Sequence, residues 1–180
     1  MDVLHIRPVR REGPLAPLAW VVAAFDFAAA WLIVILLSTM VVVVTAQVTL
    51  RYGLNSSIGW ADEVSRLTFI WTMFLAIPLG VRAGAHIGIE LVTDRLPQYL
   101  RGILQRLMAL LAMGMMLLVA WQTTVLAADQ WDEMMSSLRF SSSWFLVPVA
   151  VCGWHGALHL LWIVLAGPPL RDETLAQELA

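Results

Sequence analysis

The chain has 180 residues, of which 60% are hydrophobic and 13% are charged, and its mean hydropathy is +0.78. Soluble domains usually carry about a quarter charged residues, so this composition excludes an ordinary soluble protein and indicates one membrane domain over residues 1–180. A net charge of −2 without a basic face argues against a nucleic-acid partner. The single cysteine, Cys152, cannot form a disulfide within the chain.

Four stretches without charged residues follow one another, at residues 27–50, 67–81, 107–128 and 140–170. A helix needs about 20 apolar residues to cross the ~30 Å hydrocarbon layer, so the first, third and fourth are long enough. The second must extend into its flanks, with Arg66 and Arg82 reaching toward the lipid headgroups. We therefore expect an all-α integral membrane protein with transmembrane helices at about 20–48, 62–83, 103–128 and 143–167.

The distribution of arginine predicts the orientation, since cytoplasmic connections of membrane proteins are enriched in basic residues. With both termini in the cytoplasm, that side carries eight arginines and the opposite side three. Asp26 then lies at the cytoplasmic border of the first helix. That helix is too long for the ~7–15-residue core of a signal peptide, so we expect it to be retained.

The first connection reads RYGLNSSIGWADEVSR, at residues 51–66. Asn55 and the two serines after it favour a turn and a helix start. From Trp60 onward, apolar residues recur at helical spacing, while two adjacent carboxylates can pair with Arg66 on the other face. This pattern predicts an interfacial helical segment at about 57–64, either continuous with the second span or bent away from it.

The second connection predicts another amphipathic segment, at about 86–96. Apolar residues there alternate with polar ones such as His86, and Pro97 permits a new helix to begin toward the third span. Residues 87–91 alone would also suit a short strand, and periodicity does not decide between the two. Arginines in this connection are expected to attract anionic lipid.

Together, these residues resemble one family of membrane proteins. The ordered set comprises Arg51-Tyr52, Asn55-Ser56-Ser57, Trp60, Glu63, Ser65-Arg66, Gly80-Val81-Arg82, Ala85-His86-Ile87, Asp94-Arg95-Leu96-Pro97, Trp144 and Pro148. At this spacing, the set is similar to the small, DctQ-type membrane subunit of tripartite ATP-independent periplasmic (TRAP) transporters. The resemblance covers about residues 20–165 and is concentrated in 51–97.

The resemblance implies a role in transport. In that family, a periplasmic binding protein captures an organic anion, and a large membrane subunit carries it inward, driven by a sodium gradient. The small subunit packs against the large one as a scaffold in the bacterial inner membrane. A similar chain would be no enzyme and would hold no cofactor or metal. Candidate contacts to partner subunits or lipid are Arg51, Asn55, Trp60, Glu63, Arg66, Arg82 and His86.

His155 and His159 support an alternative function, because a spacing of four places both imidazoles on one helix face. This arrangement is compatible with a metal or haem, as in a four-span redox subunit that binds haem or quinone. A second helix would have to contribute ligands, yet the other histidines, His5 and His86, lie outside the spans. Hydrogen bonding between helices is the simpler interpretation, and Gly153 would permit close helix approach beside that face.

A free-standing small transporter is a third interpretation. Solute or proton pathways usually place ionisable residues at membrane depth, and transporter folds often show internal repeats. The sequence shows few charges within the predicted spans and no internal repeat. Both observations favour a supporting subunit.

We predict that Glu63→Ala weakens association with a large partner subunit or lowers transport, because Glu63 belongs to the segment that carries the resemblance. Uptake in a complementation assay measures this effect. Unchanged uptake would remove Glu63 from the candidate contacts.

Overall fold

The computed structural model describes residues 16–82 and 98–166 and is helical almost throughout these ranges. The helices are α1 (Ala16–Gly53), α2 (Ala61–Arg82), α3 (Gln98–Asp129), a 3-10 helix (Ser142–Phe145) and α4 (Val147–Ala166). Four helical segments are long and apolar enough to cross a membrane, which confirms the predicted all-α, four-span architecture. The amphipathic segment predicted at 86–96 lies outside the described residues.

Helix α1 is longer than predicted. Its 38 residues span about 57 Å at 1.5 Å per residue, well beyond the ~30 Å hydrocarbon layer, so the helix must tilt or project from the membrane. Large apolar side chains cover its outer surface, and Val42 is 67% exposed. Asp26 lies ten residues after the first residue of α1.

Helix α4 is the centre of the bundle. It packs against α3 and α2 and touches α1, while α1 packs mainly against α2. Half of the residues in the most apolar stretch of α4 are buried, compared with 6% in α1. Val81 of α2, Ala109 of α3 and Leu160 of α4 form the buried cluster where three helices meet.

Gly153 brings α3 and α4 into close contact. A Cβ atom at this position would lie 2.8 Å from the Cβ of Ala120 and 2.9 Å from the carbonyl oxygen of Met116. Small residues let transmembrane helices approach closely, which strengthens their van der Waals contact where lipid offers no hydrophobic drive for association. The close approach predicted at Gly153 is therefore confirmed.

Threonine hydroxyls within the helices bond to the carbonyl oxygen of the preceding turn. Thr39 donates to Ile35 at 2.8 Å, and Thr124 donates to Ala120 at 2.6 Å. The indole Nε1 of Trp154 also reaches the Thr124 hydroxyl, at 3.4 Å. Because hydrocarbon offers no hydrogen-bond partners, such internal bonds allow polar side chains to remain in the spans.

The connection between α1 and α2 is a turn. Asn55 adopts a positive φ of 49°, a left-handed conformation that asparagine tolerates better than most residues. The backbone N–H of Ile58 donates to the side-chain oxygen of Gln47 at 2.8 Å, which ties the turn to α1. Residues 54–60 precede the helix, and residues 61–64 form the first turn of α2. Of the two forms predicted for this segment, the structure has the continuous helix, although it begins at Ala61.

We expect Gly153→Ala to destabilise the bundle by about 1–3 kcal/mol, the typical cost of overpacking. The atoms that the new methyl group would meet are a carbonyl oxygen and a Cβ, and neither can rotate away. The midpoint of thermal unfolding in detergent measures the effect.

Gly114→Ala on α3 is the matched control, because nothing lies within 4 Å of a Cβ added there. Both variants gain the same helix propensity. If Gly153→Ala unfolds at the same temperature as Gly114→Ala, the close approach of α3 and α4 does not limit stability.

Candidate functional site

Most of the predicted contact residues meet at one end of the bundle. Two adjoining open grooves, of about 420 and 330 Å³, lie between the end of α1 and the start of α2. Arg51 and Asp62 line both grooves, Arg66 lines the larger one and Asn55 the smaller one. The groove region thus presents two guanidinium groups beside one carboxylate, which suits contact with polar or charged groups of a partner or a lipid.

A hairpin-like loop between α3 and the 3-10 helix reaches the same end. Met134 and Ser141 form an antiparallel bridge, and the N–H of Met135 donates to the carbonyl oxygen of Phe140 at 2.9 Å. The N–H of Ser142 donates to the carbonyl oxygen of Glu133 at 2.6 Å. We refer to residues 133–142 as the hairpin; its tip lies above the start of α2.

Glu63 holds the tip of the hairpin. Its carboxylate accepts hydrogen bonds from the backbone N–H groups of Ser137, at 2.9 and 3.1 Å, and Leu138, at 2.9 Å. Within residues 16–82 and 98–166, no ion pair joins Glu63 or Asp62 to Arg66, so the predicted pairing is not formed. Bonds from two fixed backbone donors to a carboxylate are charge-assisted, whereas an exposed ion pair gains little.

Three tryptophans pack beside the hairpin. The ring of Trp144 lies 6.0 Å from that of Trp71 on α2 and 6.4 Å from that of Trp131. The Trp71 Nε1 also donates to the carbonyl oxygen of Trp144 at 3.1 Å. Trp71 therefore packs within the chain.

Two predicted contact residues are separate from this end. Arg82 is the last residue of α2 and therefore stands at the opposite end of that helix, about 30 Å away. His86 lies outside the described residues. Trp60, by contrast, precedes α2 and is 44% exposed. Five of the seven predicted residues therefore belong to one end: Arg51, Asn55, Trp60, Glu63 and Arg66.

A second polar cluster lies inside the bundle. Asp26 of α1 is fully buried, and the same carboxylate oxygen, Oδ1, contacts the Nε2 atoms of His155 at 3.0 Å and His159 at 2.7 Å. Both imidazoles are at least 95% buried. The predicted hydrogen bonding between helices by His155 and His159 is therefore confirmed, and α1 supplies the second-helix group that the sequence analysis did not find.

Tilted ring contacts accompany the hydrogen bonds of this cluster. The two rings lie 4.9 Å apart, and the ring of Phe25 lies 5.7 Å from that of His155. Asp26 was missed because it is separated by 129 and 133 residues from its two partners, and no local pattern connects positions so far apart. One available signal was the helical spacing of the histidines, which indicated that some group must face them.

Comparison with known proteins identifies the family. Residues 40–166 match tripartite ATP-independent periplasmic transporters, DctQ component. A TRAP transporter small permease protein of Haemophilus influenzae is 27% identical over 126 residues, covering 70% of this chain and 76% of that protein. The sialic acid TRAP transporter small permease protein of Vibrio cholerae is 26% identical over 121 residues, covering 66% and 68%.

Shorter matches point the same way. A second Haemophilus influenzae small permease protein is 36% identical over 70 residues, which cover 39% of this chain and less than half, 44%, of that relative. The family match spans more than two thirds of the sequence and includes the turn, the hairpin and both histidines of α4. The chain therefore belongs to the DctQ family and is a small membrane component of a TRAP transporter.

Proposed function

We propose that this chain is the non-translocating scaffold subunit of a sodium-coupled TRAP transporter. The transporter imports an organic anion, a carboxylate, which a periplasmic binding protein delivers. The chain packs against the large, multi-spanning subunit, stabilises it in the bacterial inner membrane and performs no enzymatic reaction. Family membership is the observation that carries this proposal.

The arrangement of polar groups favours a structural rather than a translocating role. A solute pathway needs polar groups that water or substrate can reach. Asp26, His155 and His159 lie within the spans but are closed off from solvent and bonded to one another. The Nε2 atoms of both histidines contact the Asp26 carboxylate within the chain.

The uncovered apolar surface supports a large membrane partner. On α3, Leu111, Met115 and Leu118 recur at helical spacing and are each more than half exposed, and most of α1 is exposed as well. A four-helix chain with so little internal burial leaves much of its surface to lipid or to another membrane subunit. We place the large subunit on part of this surface.

A longer relative supports the same partnership. The isethionate TRAP transporter permease protein DctMQ of Oleidesulfovibrio alaskensis is 26% identical over 91 residues. The aligned segment makes up 47% of this chain but 14% of that protein, which is therefore several times as long. We propose that this chain meets, as a separate partner, the membrane subunit that corresponds to the remainder of such a protein.

We also propose that both termini are cytoplasmic, as the arginine distribution predicts. The turn at residues 54–60 and the hairpin share one end of the bundle, since Glu63 contacts both Ser137 and Leu138. In this orientation, that end faces the periplasm. The grooves at Arg51 and Arg66 would then lie on the side from which the binding protein approaches.

Co-purification tests the proposed function. We expect the tagged chain, extracted from its native membranes in mild detergent, to bring down one much larger multi-spanning protein in equal amount. Mass spectrometry identifies the partner. A partner that carries redox cofactors, or a visible Soret band in the purified chain, would overturn the proposal in favour of a redox subunit.

We expect Glu63→Ala to release the hairpin tip and weaken association with the large subunit. Loss of these backbone contacts costs about 1 kcal/mol, a roughly fivefold change in the open population. The rate of tryptic cleavage after the exposed Arg139 reports the release, and the yield of co-purified partner reports the association.

Asp62→Ala is the matched control for the cleavage rate, because it removes the neighbouring, exposed carboxylate while leaving the hairpin bonds intact. Faster cleavage of Glu63→Ala with an unchanged yield of partner would show that the hairpin does not contribute to the interface. Equal cleavage rates in both variants would contradict the structural role of Glu63.

The orientation is tested by cysteine labelling in a Cys152→Ser background. We expect Ser57→Cys and Ser137→Cys to react with a membrane-impermeant maleimide added outside the inner membrane, because both positions are exposed at the same end of the bundle. A cysteine at position 178 should react only after permeabilisation. The reverse pattern would place both termini in the periplasm.

A further inference from the structure

We propose that Asp26, His155 and His159 form a site for a divalent transition-metal ion of zinc-like chemistry. This inference goes beyond the proposed function and does not depend on it. It rests on the convergence of three ligating side chains inside the bundle, of which two come from α4 and one from α1.

The donor atoms are already close enough to share one ion. One ligand atom from each side chain lies within 4.8 Å of the other two, and the Asp26 Oδ1 atom is 3.0 and 2.7 Å from the two Nε2 atoms. Bonds of 2.0–2.1 Å around a tetrahedral zinc ion place neighbouring donor atoms roughly 3.3 Å apart. The two oxygen–nitrogen distances would therefore need to open by only about half an ångström.

The types of ligand fit the same ion. Two imidazole nitrogens and one carboxylate oxygen are a common zinc donor set, and three protein ligands leave a fourth position for water. The spacing of four on α4 presents His155 and His159 from one helix face. The ring of His155 lies in tilted contact with the rings of Phe25 and His159, which limits the orientations open to the imidazoles.

The position of the cluster between two helices suits a bridging cation. Asp26 is fully buried, and a carboxylate inside a membrane is costly unless its charge is compensated. A bound cation would join α1 directly to α4, two helices that otherwise touch only slightly.

Metal binding by the full chain is the test. The protein carries a histidine-free tag, is purified in mild detergent, is stripped with a chelator and is dialysed against Zn²⁺ or Co²⁺. We expect one equivalent of bound metal per chain by elemental analysis, and a ligand-field absorption band of the Co²⁺ form. His159→Gln should weaken binding at least tenfold, because loss of even an outer partner costs about 10–100-fold.

The chain offers its own control, since it has four histidines. The double variant His5→Gln/His86→Gln should bind as much metal as the unmodified chain. Equal binding by His159→Gln, or loss of binding in the double variant, would overturn the proposal. Binding of well below one equivalent by the unmodified chain would also overturn it. That result would mean that Asp26 and the imidazoles form a hydrogen-bonded cluster that holds no metal.

A second measurement does not depend on the folding of the His159→Gln variant. X-ray absorption at the zinc edge of the unmodified chain should show two imidazole ligands and oxygen at about 2.0–2.1 Å. A shell that contains sulfur, or one without imidazole scattering, would assign the metal to other groups and overturn the site. Asp26→Asn, which retains the size of the side chain and removes its charge, should lower the affinity in parallel.

Discussion

The contact between the Asp26 carboxylate and the two imidazoles of α4 constrains the position of α1. Helix α1 packs mainly against α2 and has little of its surface buried, so apolar packing alone leaves its rotation weakly defined. A buried carboxylate must meet its partners, because hydrocarbon offers none. Any rotation of α1 that moves Asp26 away from His155 and His159 is therefore costly.

The rest of the bundle depends on the close approach of helices α3 and α4. Gly153 places α4 directly against the backbone of α3, and this contact positions both the hairpin after α3 and the histidines two and six residues further along α4. At the end of the bundle that carries the grooves, the side chain of Gln47 holds the turn and the side chain of Glu63 holds the hairpin. A small number of polar contacts thus orders both the interior of the bundle and its proposed periplasmic end.

Polar and apolar groups occupy different parts of the bundle. The polar groups inside the bundle are shielded from solvent and hydrogen-bonded to each other. The grooves at Arg51 and Arg66 are open to solvent. Large apolar side chains on α1 and α3 are left for lipid and a membrane partner. This distribution agrees with the role proposed above, in which the chain supports a TRAP transporter by contact and does not conduct the substrate.

The sequence by itself determined the class of the protein, the number of spans and the family, because these depend on local composition and on an ordered set of residues in 51–97. It also placed five candidate residues at one end, since each lies near the first connection. Only the tertiary structure decided which groups bind each other. Glu63 bonds to a hairpin more than 70 residues away instead of to Arg66 three residues away. Asp26 belongs to a buried cluster with His155 and His159. In both cases the partner is distant in sequence, and helix packing brings it within hydrogen-bond distance.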